Sequence, residues 1–219
     1  SGISRNSFLQ VVSRGAYAVA AGDSHSIMVK RDGSVWATGS NIYGQLGDGS
    51  YTNSMNFKQV FSNGALAVAA GRAHTMMLQK DGSVWATGYN TFGELGDGSK
   101  IPKNLFVRVV LSGATAIATG WTHSLMLKED GSVWSKGANT KGQLGDGSNT
   151  YRSSFVKVVS GGVNAVAVGL SHSMVLNRNG SVWATGSNTF GTLGDGSRTH
   201  RRSFVKVIVS DGVALSAGV

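Results

Sequence analysis

The chain has no cysteine, a single proline, few charges and no long apolar run. Without cysteine there are no disulfides and no thiolate-held metal, and the compartment stays open. No apolar stretch approaches the roughly 18 residues of a membrane-spanning helix. No leader peptide is visible, and the sequence opens at Ser1 without a methionine, as expected of a chain whose start lies upstream. Charged residues make up only 14%, against a usual quarter. They are unequal: 20 Lys and Arg face 11 Asp and Glu, a net charge of +9. That balance fits an anionic partner such as nucleic acid, a membrane surface or an acidic protein, and equally fits plain solubility.

What the chain holds in excess is glycine, 32 of 219 residues. Glycine at that level, without low complexity, implies many tight turns and hence many short strands. A strict internal repeat organises them. Gly33-Ser34-Val35-Trp36 returns at Gly82, Gly131 and Gly180, each time 49 residues on. Leu46-Gly47-Asp48-Gly49-Ser50 returns in step at Leu95, Leu144 and Leu193, as do His25, His74, His123 and His172. Phe8, Phe57, Phe106, Phe155 and Phe204 keep the same interval. Counted from the first residue, the repeats run approximately 1–49, 50–98, 99–147 and 148–196, with a partial one at 197–219.

Each repeat holds four short apolar runs; in the first they are Phe8–Val12, Ala18–Ala21, Ser26–Val29 and Val35–Thr38. Runs of four or five residues bounded by glycine are strands, since helices need longer periodic segments. Asp32-Gly33, Asp81-Gly82, Asp130-Gly131 and Asn179-Gly180 predict two-residue type I′ hairpin turns. Four strands per repeat and a period near 50 describe an all-β propeller of four-stranded antiparallel blades: four full blades and about half of another, in one domain over 1–219.

The spaced set Ala21-Gly22, His25-Ser26, Asp32-Gly33-Ser34-Val35 and Gly39 through Gly47, present in four in-phase copies, resembles the regulator of chromosome condensation repeat family. The resemblance covers essentially the whole chain. Thr38, Thr87, Lys136 and Thr185 stand where that family often has tryptophan, and the Phe series stands where it favours proline. The family closes seven blades into a ring, which at this period needs about 343 residues. The chain is therefore expected to be part of a seven-bladed ring, completed by a further segment or a second chain; an open arc would expose strand edges. The resemblance also implies two functional alternatives, namely nucleotide exchange on a small GTPase with chromatin binding, and inhibition of an enzyme.

The residues offer no catalytic constellation, and the expectation is a non-enzyme without cofactor or metal. Adjacent Ser and His along a strand point to opposite faces, so Ser24-His25-Ser26 and its copies make poor nucleophile–base pairs. The histidines instead suit hydrogen-bonding posts that satisfy blade backbone, and they lack the close spacing of zinc ligands. The Leu-Gly-Asp-Gly-Ser loops lack both the Lys-Ser/Thr ending of a phosphate loop and the alternating acids of a calcium loop. Asp48, Asp97, Asp146 and Asp195 read as turn residues, as do Asn41, Asn90, Asn139 and Asn188. Trp36, Trp85, Trp134 and Trp183 read as packing.

Function is then sought where the repeats differ. One position between invariant neighbours holds Asp23, Arg72, Trp121 and Leu170, then Val219. Chemically unlike residues at a strand-joining turn line one rim, and loops on a rigid scaffold carry binding; Trp and Arg are frequent anchors. A second variable stretch follows each Leu-Gly-Asp-Gly-Ser. Its last copy holds Arg198, His200, Arg201 and Arg202, the densest positive cluster, suited to phosphate or an acidic protein. The expected function is a protein-binding scaffold, with nucleic acid or another anionic surface as the weaker alternative.

Overall fold

The computed structural model describes Gln10 and residues 14–218. The Phe8–Val12 run lies outside these apart from Gln10, and Val219 is outside them as well. The described residues form sixteen strands in four antiparallel sheets of four. The first blade is β1 (Ala16–Ala21), β2 (His25–Lys30), β3 (Val35–Gly39) and β4 (Ser54–Phe61). The second is β5 (Ala65–Ala70), β6 (His74–Gln79), β7 (Val84–Gly88) and β8 (Lys103–Val110). The third is β9 (Ala114–Thr119), β10 (His123–Lys128), β11 (Val133–Gly137) and β12 (Arg152–Val159). The fourth is β13 (Val163–Val168), β14 (His172–Asn177), β15 (Val182–Gly186) and β16 (Arg201–Ile208).

The folded blade is out of phase with the repeat counted from the first residue. The Phe-bearing run, expected to open each unit, closes the preceding blade as its fourth strand: Phe57 lies in β4, which pairs with β3. The tail differs accordingly. Its first run, β16, completes the fourth blade, and residues 209–218 form no strand. Their backbone still follows the inner-strand path, because Gly212 N donates to Gly180 O at 3.0 Å just as Ala114 N donates to Gly82 O.

The hairpin turns also differ from expectation. A type I′ turn needs two positive φ angles, yet Gly33 has φ 80° and Asp32 is not positive. Lys30 N donates to Ser34 O and Gly33 N to Lys30 O, so Arg31, Asp32 and Gly33 form a three-residue loop. The Asp32 carboxylate accepts from Ser34 N at 2.9 Å and from its hydroxyl at 2.6 Å, which holds Asp32 at negative φ and leaves only glycine left-handed.

Each blade covers its neighbour. The second strand is buried on both faces: Ile27, Met28 and Val29 are all buried. One apolar cluster joins Ile27, Val29, Val35, Ala37 and Leu46 of the first blade to Ala65, Met77 and Phe106 of the second, with Trp85 packed against it. Trp85, Trp134 and Trp183 thus serve blade-to-blade packing, and their indole N–H groups, like that of Trp36, are pinned to their own hairpins, as Trp85 Nε1 to Ser83 Oγ at 3.1 Å. At the Leu-Gly-Asp-Gly-Ser loop the next blade's phenylalanine lies on a glycine, Phe106 on Gly47 and Phe204 on Gly145. Gly194, at the same place in the fourth blade, has open space beside it.

Gly71 belongs to the turn between the first two strands, and a Cβ there would overlap the His74 imidazole. Gly71→Ala is expected to lower stability by about 1–3 kcal/mol, as overpacking does, read as the midpoint of urea unfolding. An unchanged midpoint would mean the ring does not depend on that contact.

Candidate functional site

The histidine column is structural, by a route the sequence did not reveal. His25 Nε2 bonds Thr75 Oγ1 at 2.8 Å, His74 Nε2 bonds Ser124 Oγ at 3.0 Å, and His123 Nε2 bonds Ser173 Oγ at 3.0 Å. Each partner belongs to the next blade, not to the histidine's own backbone. Thr75 passes its proton to Gln45 O at 2.7 Å and Ser173 to Gln143 O at 2.7 Å. A hydroxyl has one proton, so at these junctions the imidazole donates through Nε2 and its bare Nδ1 remains unpaired. Burial pushes His25 down to about 4 and His123 down to about 3, so both are neutral at physiological pH. The His–hydroxyl contacts are sealed between blades, where no substrate reaches them.

One junction departs from the pattern. Gln45 and Gln143 accept from the backbone of Tyr43 and Lys141, and in the second blade Glu94 takes this place, accepting from Phe92 N at 2.8 Å. Facing it, Thr87 and Thr185 each bond backbone carbonyls of the neighbouring loop, Gly44 O and Gly142 O. Lys136 stands in their column, fully buried, and its ammonium donates to Glu94 O. Its stem lies over Gly96, where the other junctions place Phe and Thr side chains. Burial pushes Glu94 up to about 7, against which its backbone hydrogen bonds and Lys136 act; burial pushes Lys136 down to about 7 despite Glu94 and Asp97. Lys136 stood out in the sequence as the exception among Thr38, Thr87 and Thr185, but Glu94 and the meeting of the two were missed. The available signal was a double exception, Gln→Glu and Thr→Lys, in two otherwise uniform columns.

The four rim positions do come together. The turns carrying them close alike, with Gly22, Gly71, Gly120 and Gly169 N donating to the oxygen of the following histidine. Successive turns are then laced by backbone: Arg72 N to Trp121 O at 3.1 Å, Trp121 N to Leu170 O at 3.3 Å, and Leu170 N to Gly218 O at 3.3 Å. The main chain is committed to this row while the side chains are not. Asp23, Arg72, Trp121 and Leu170 line one cavity of about 250 Å³, and the Arg72 guanidinium lies 5.1 Å from the Trp121 ring centroid. Trp121 and Leu170 are each 39% exposed.

The long loops between third and fourth strands lie at the same end of the blades, since Ser40 N donates to Ser24 O and Tyr89 N to Ala73 O. They add an aromatic run across three blades: Tyr43 to Tyr89 at 4.9 Å, Tyr89 to Phe92 at 6.2 Å and Phe92 to Tyr151 at 5.1 Å, all edge-on. This run was also missed: Tyr43 and Phe92 share a repeat position, but Tyr89 and Tyr151, which join them to one another and to the third blade, stand at two others.

The basic cluster does not act as a unit. Arg201 is paired to Asp195 at 2.6 Å, and His200 Nδ1 accepts from Asn188 N at 3.0 Å. Both shape the loop. Arg198 and Arg202 are exposed and form no ion pair among the described residues. The other three loop aspartates repeat the pairing, Asp48 with Lys58, Asp97 with Lys103 and Asp146 with Arg152, and each also accepts from its own turn, as Asp48 from Ser50 N.

The profile of the regulator of chromosome condensation (RCC1) repeat matches residues 32–78, 81–127 and 130–176, and a second profile of the same repeat matches 17–45, 66–94, 114–143 and 163–192. The chain belongs to the RCC1 repeat family. Its fold is similar to human WBSCR16, with a TM-score of 0.79 at 23% identity over 89% of this chain and 54% of that one. It is similar to yeast RCC1 (Prp20), solved bound to Kap60, with a TM-score of 0.80 at 21% identity over 91% and 50%. A further structure of Prp20p from Saccharomyces cerevisiae, described with its binding to Gsp1p and histones, gives a TM-score of 0.76 at 22% identity over 86% and 49%. This RCC1 repeat chain spans about half the length of each. No curated protein matches it in sequence.

Two outcomes are expected. A histidine kept neutral by the fold but protonated when unfolded, with an ordinary value near 6.5, contributes stability that is complete above pH 6.5 and lost as pH falls toward the folded value. His123→Gln is therefore expected to lose stability less steeply than wild type between pH 6.5 and 4, by about 1.4 kcal/mol per pH unit; parallel curves from urea unfolding would refute a neutral His123. For the odd junction, Glu94→Gln and Lys136→Thr are expected to be coupled, the double variant losing less stability in urea unfolding than the two single losses summed. Additive losses would show that the two residues are independent.

Proposed function

We propose that this chain is a non-catalytic scaffold that binds a protein partner on the face carrying Asp23, Arg72, Trp121 and Leu170. The observation that carries this reading is the cavity itself. The repeat position that changes from blade to blade is the one whose backbone is laced into a row and whose side chains converge on a single hollow. A position constant in every blade serves the blade; one that varies beside constant neighbours is available to a partner. An exposed Trp stacked with an Arg suits a protein contact, since both anchor interfaces disproportionately, and the neighbouring aromatic run extends the surface outward.

The reading of nucleotide exchange on a small GTPase draws only on what the yeast protein binds, and that of an enzyme inhibitor only on family resemblance. Neither has a residue of this chain behind it. Arg198 and Arg202 border the same face and are assigned to its periphery, while Arg201 and His200 are assigned to loop structure.

Peptides selected from a displayed library against the folded chain are expected to lose binding to Arg72→Ala and Trp121→Ala, with both variants melting as wild type does. Selected peptides that bind the variants undiminished would place the binding surface elsewhere.

A further inference from the structure

Charge is distributed unevenly between the two ends of the blades. On the end that carries the cavity, the strand-joining turns and long loops present Arg72, Lys100, Lys141, Arg198 and Arg202, all exposed and none in an ion pair among the described residues. The carboxylates at that end are otherwise occupied. Asp48, Asp97, Asp146 and Asp195 are each matched by their own cation. Glu94 is buried. Among the described residues Asp23 is left at that end as the one exposed acid without a cation. The opposite end, built from the hairpin turns and the blade-to-blade connections, exposes Asp32, Asp81, Glu129, Asp130 and Asp211 beside Arg14, Arg31, Lys80 and Arg178, and so has no positive excess. Most of the free negative charge thus lies at one end, and the other carries an excess of about four positive charges by this count.

Apolar groups interleave with those cations. Trp121 and Leu170 floor the cavity, and Ile42, Tyr43, Ile101 and Phe190 stand exposed on the surrounding loops, Phe190 at 92%. Arg72 is the pivot. Its guanidinium lies 5.1 Å from the Trp121 ring centroid, is exposed and forms no ion pair among the described residues. A guanidinium so placed can receive a carboxylate through two parallel hydrogen bonds.

Resting on the protein-binding reading above, we infer that the partner is an acidic, amphipathic protein segment, which sets a carboxylate on Arg72 and apolar side chains against Trp121 and Leu170. A nucleic acid fits the same surface less well. The cations come from separate loops of the second, third and fourth blades rather than from one backbone-tracking stripe. The rings of the aromatic run contact one another edge to face, which is not the face-on stack that successive bases use.

The test is fluorescence anisotropy with three labelled probes of equal length: a peptide of Glu-Glu-Leu repeats, its Gln-Gln-Leu counterpart, and a polythymidine strand. The acidic peptide is expected to bind, to weaken as salt is added, and to lose at least tenfold in affinity with Arg72→Gln and with Trp121→Ala. Arg178→Gln, on a hairpin turn at the opposite end, is expected to leave it unchanged. Equal binding of the Gln-Gln-Leu peptide would overturn the acidic preference while leaving the protein-binding reading intact. Tighter binding of the DNA strand, or no binding of the acidic peptide at any salt concentration, would overturn the inference. Library-selected peptides that ignore Arg72 and Trp121 would instead remove the reading beneath it.

Discussion

The contact on which the rest of the molecule depends is the imidazole-to-hydroxyl bond that crosses each described blade boundary, relayed on to a carbonyl at the first and third. Three otherwise separate features of the repeat follow from it. The glycine three residues before each histidine is small because the imidazole lies against it. The Thr or Ser that follows the histidine is polar yet buried because it bonds the imidazole of the previous blade, and Thr75 and Ser173 also donate to a carbonyl. The histidine stays uncharged because a proton on Nδ1 would sit among apolar neighbours with nothing to accept it. A quasi-one-dimensional array is held together by such junctions as much as by its blades.

The relay also explains how the rim is free to vary. It fixes the start of the second strand from beneath, while the backbone lacing fixes the turn from the side. Between them the residue at the tip carries no structural duty, so Asp, Arg, Trp and Leu are all accommodated. Scaffold and surface are therefore separable in this chain at the level of single positions.

Much of this was legible in the sequence. Blades could be counted because every strand is short and glycine marks its ends. Their phase could not, because β4 and β5 of different blades are separated by only residues 62–64, whereas β3 and β4 of one blade are separated by residues 40–53. Grouping runs by proximity therefore joined strands that do not pair. The rim row was legible as variation within constancy, but the hydrogen bonds tying it together are main-chain and leave no residue signature. Arg201 and His200 looked alike to Arg198 and Arg202 in a string of basic letters; only the positions of Asp195 and Asn188 N separate them. The junction of Glu94 and Lys136 was present as two exceptions 42 positions apart, which nothing linked until the blades were stacked.

The relay has a direction. Each blade offers an imidazole forward and a hydroxyl backward, and the fourth blade points His172 and the uncovered Gly194 onward. The stack is thus keyed, like plugs and sockets that mate in one sense only. Whatever lies against that socket, from whichever polypeptide, must bring an aromatic ring and a hydroxyl at the spacing of Phe106 and Thr75, and a flipped or shifted blade is refused before any apolar surface is compared.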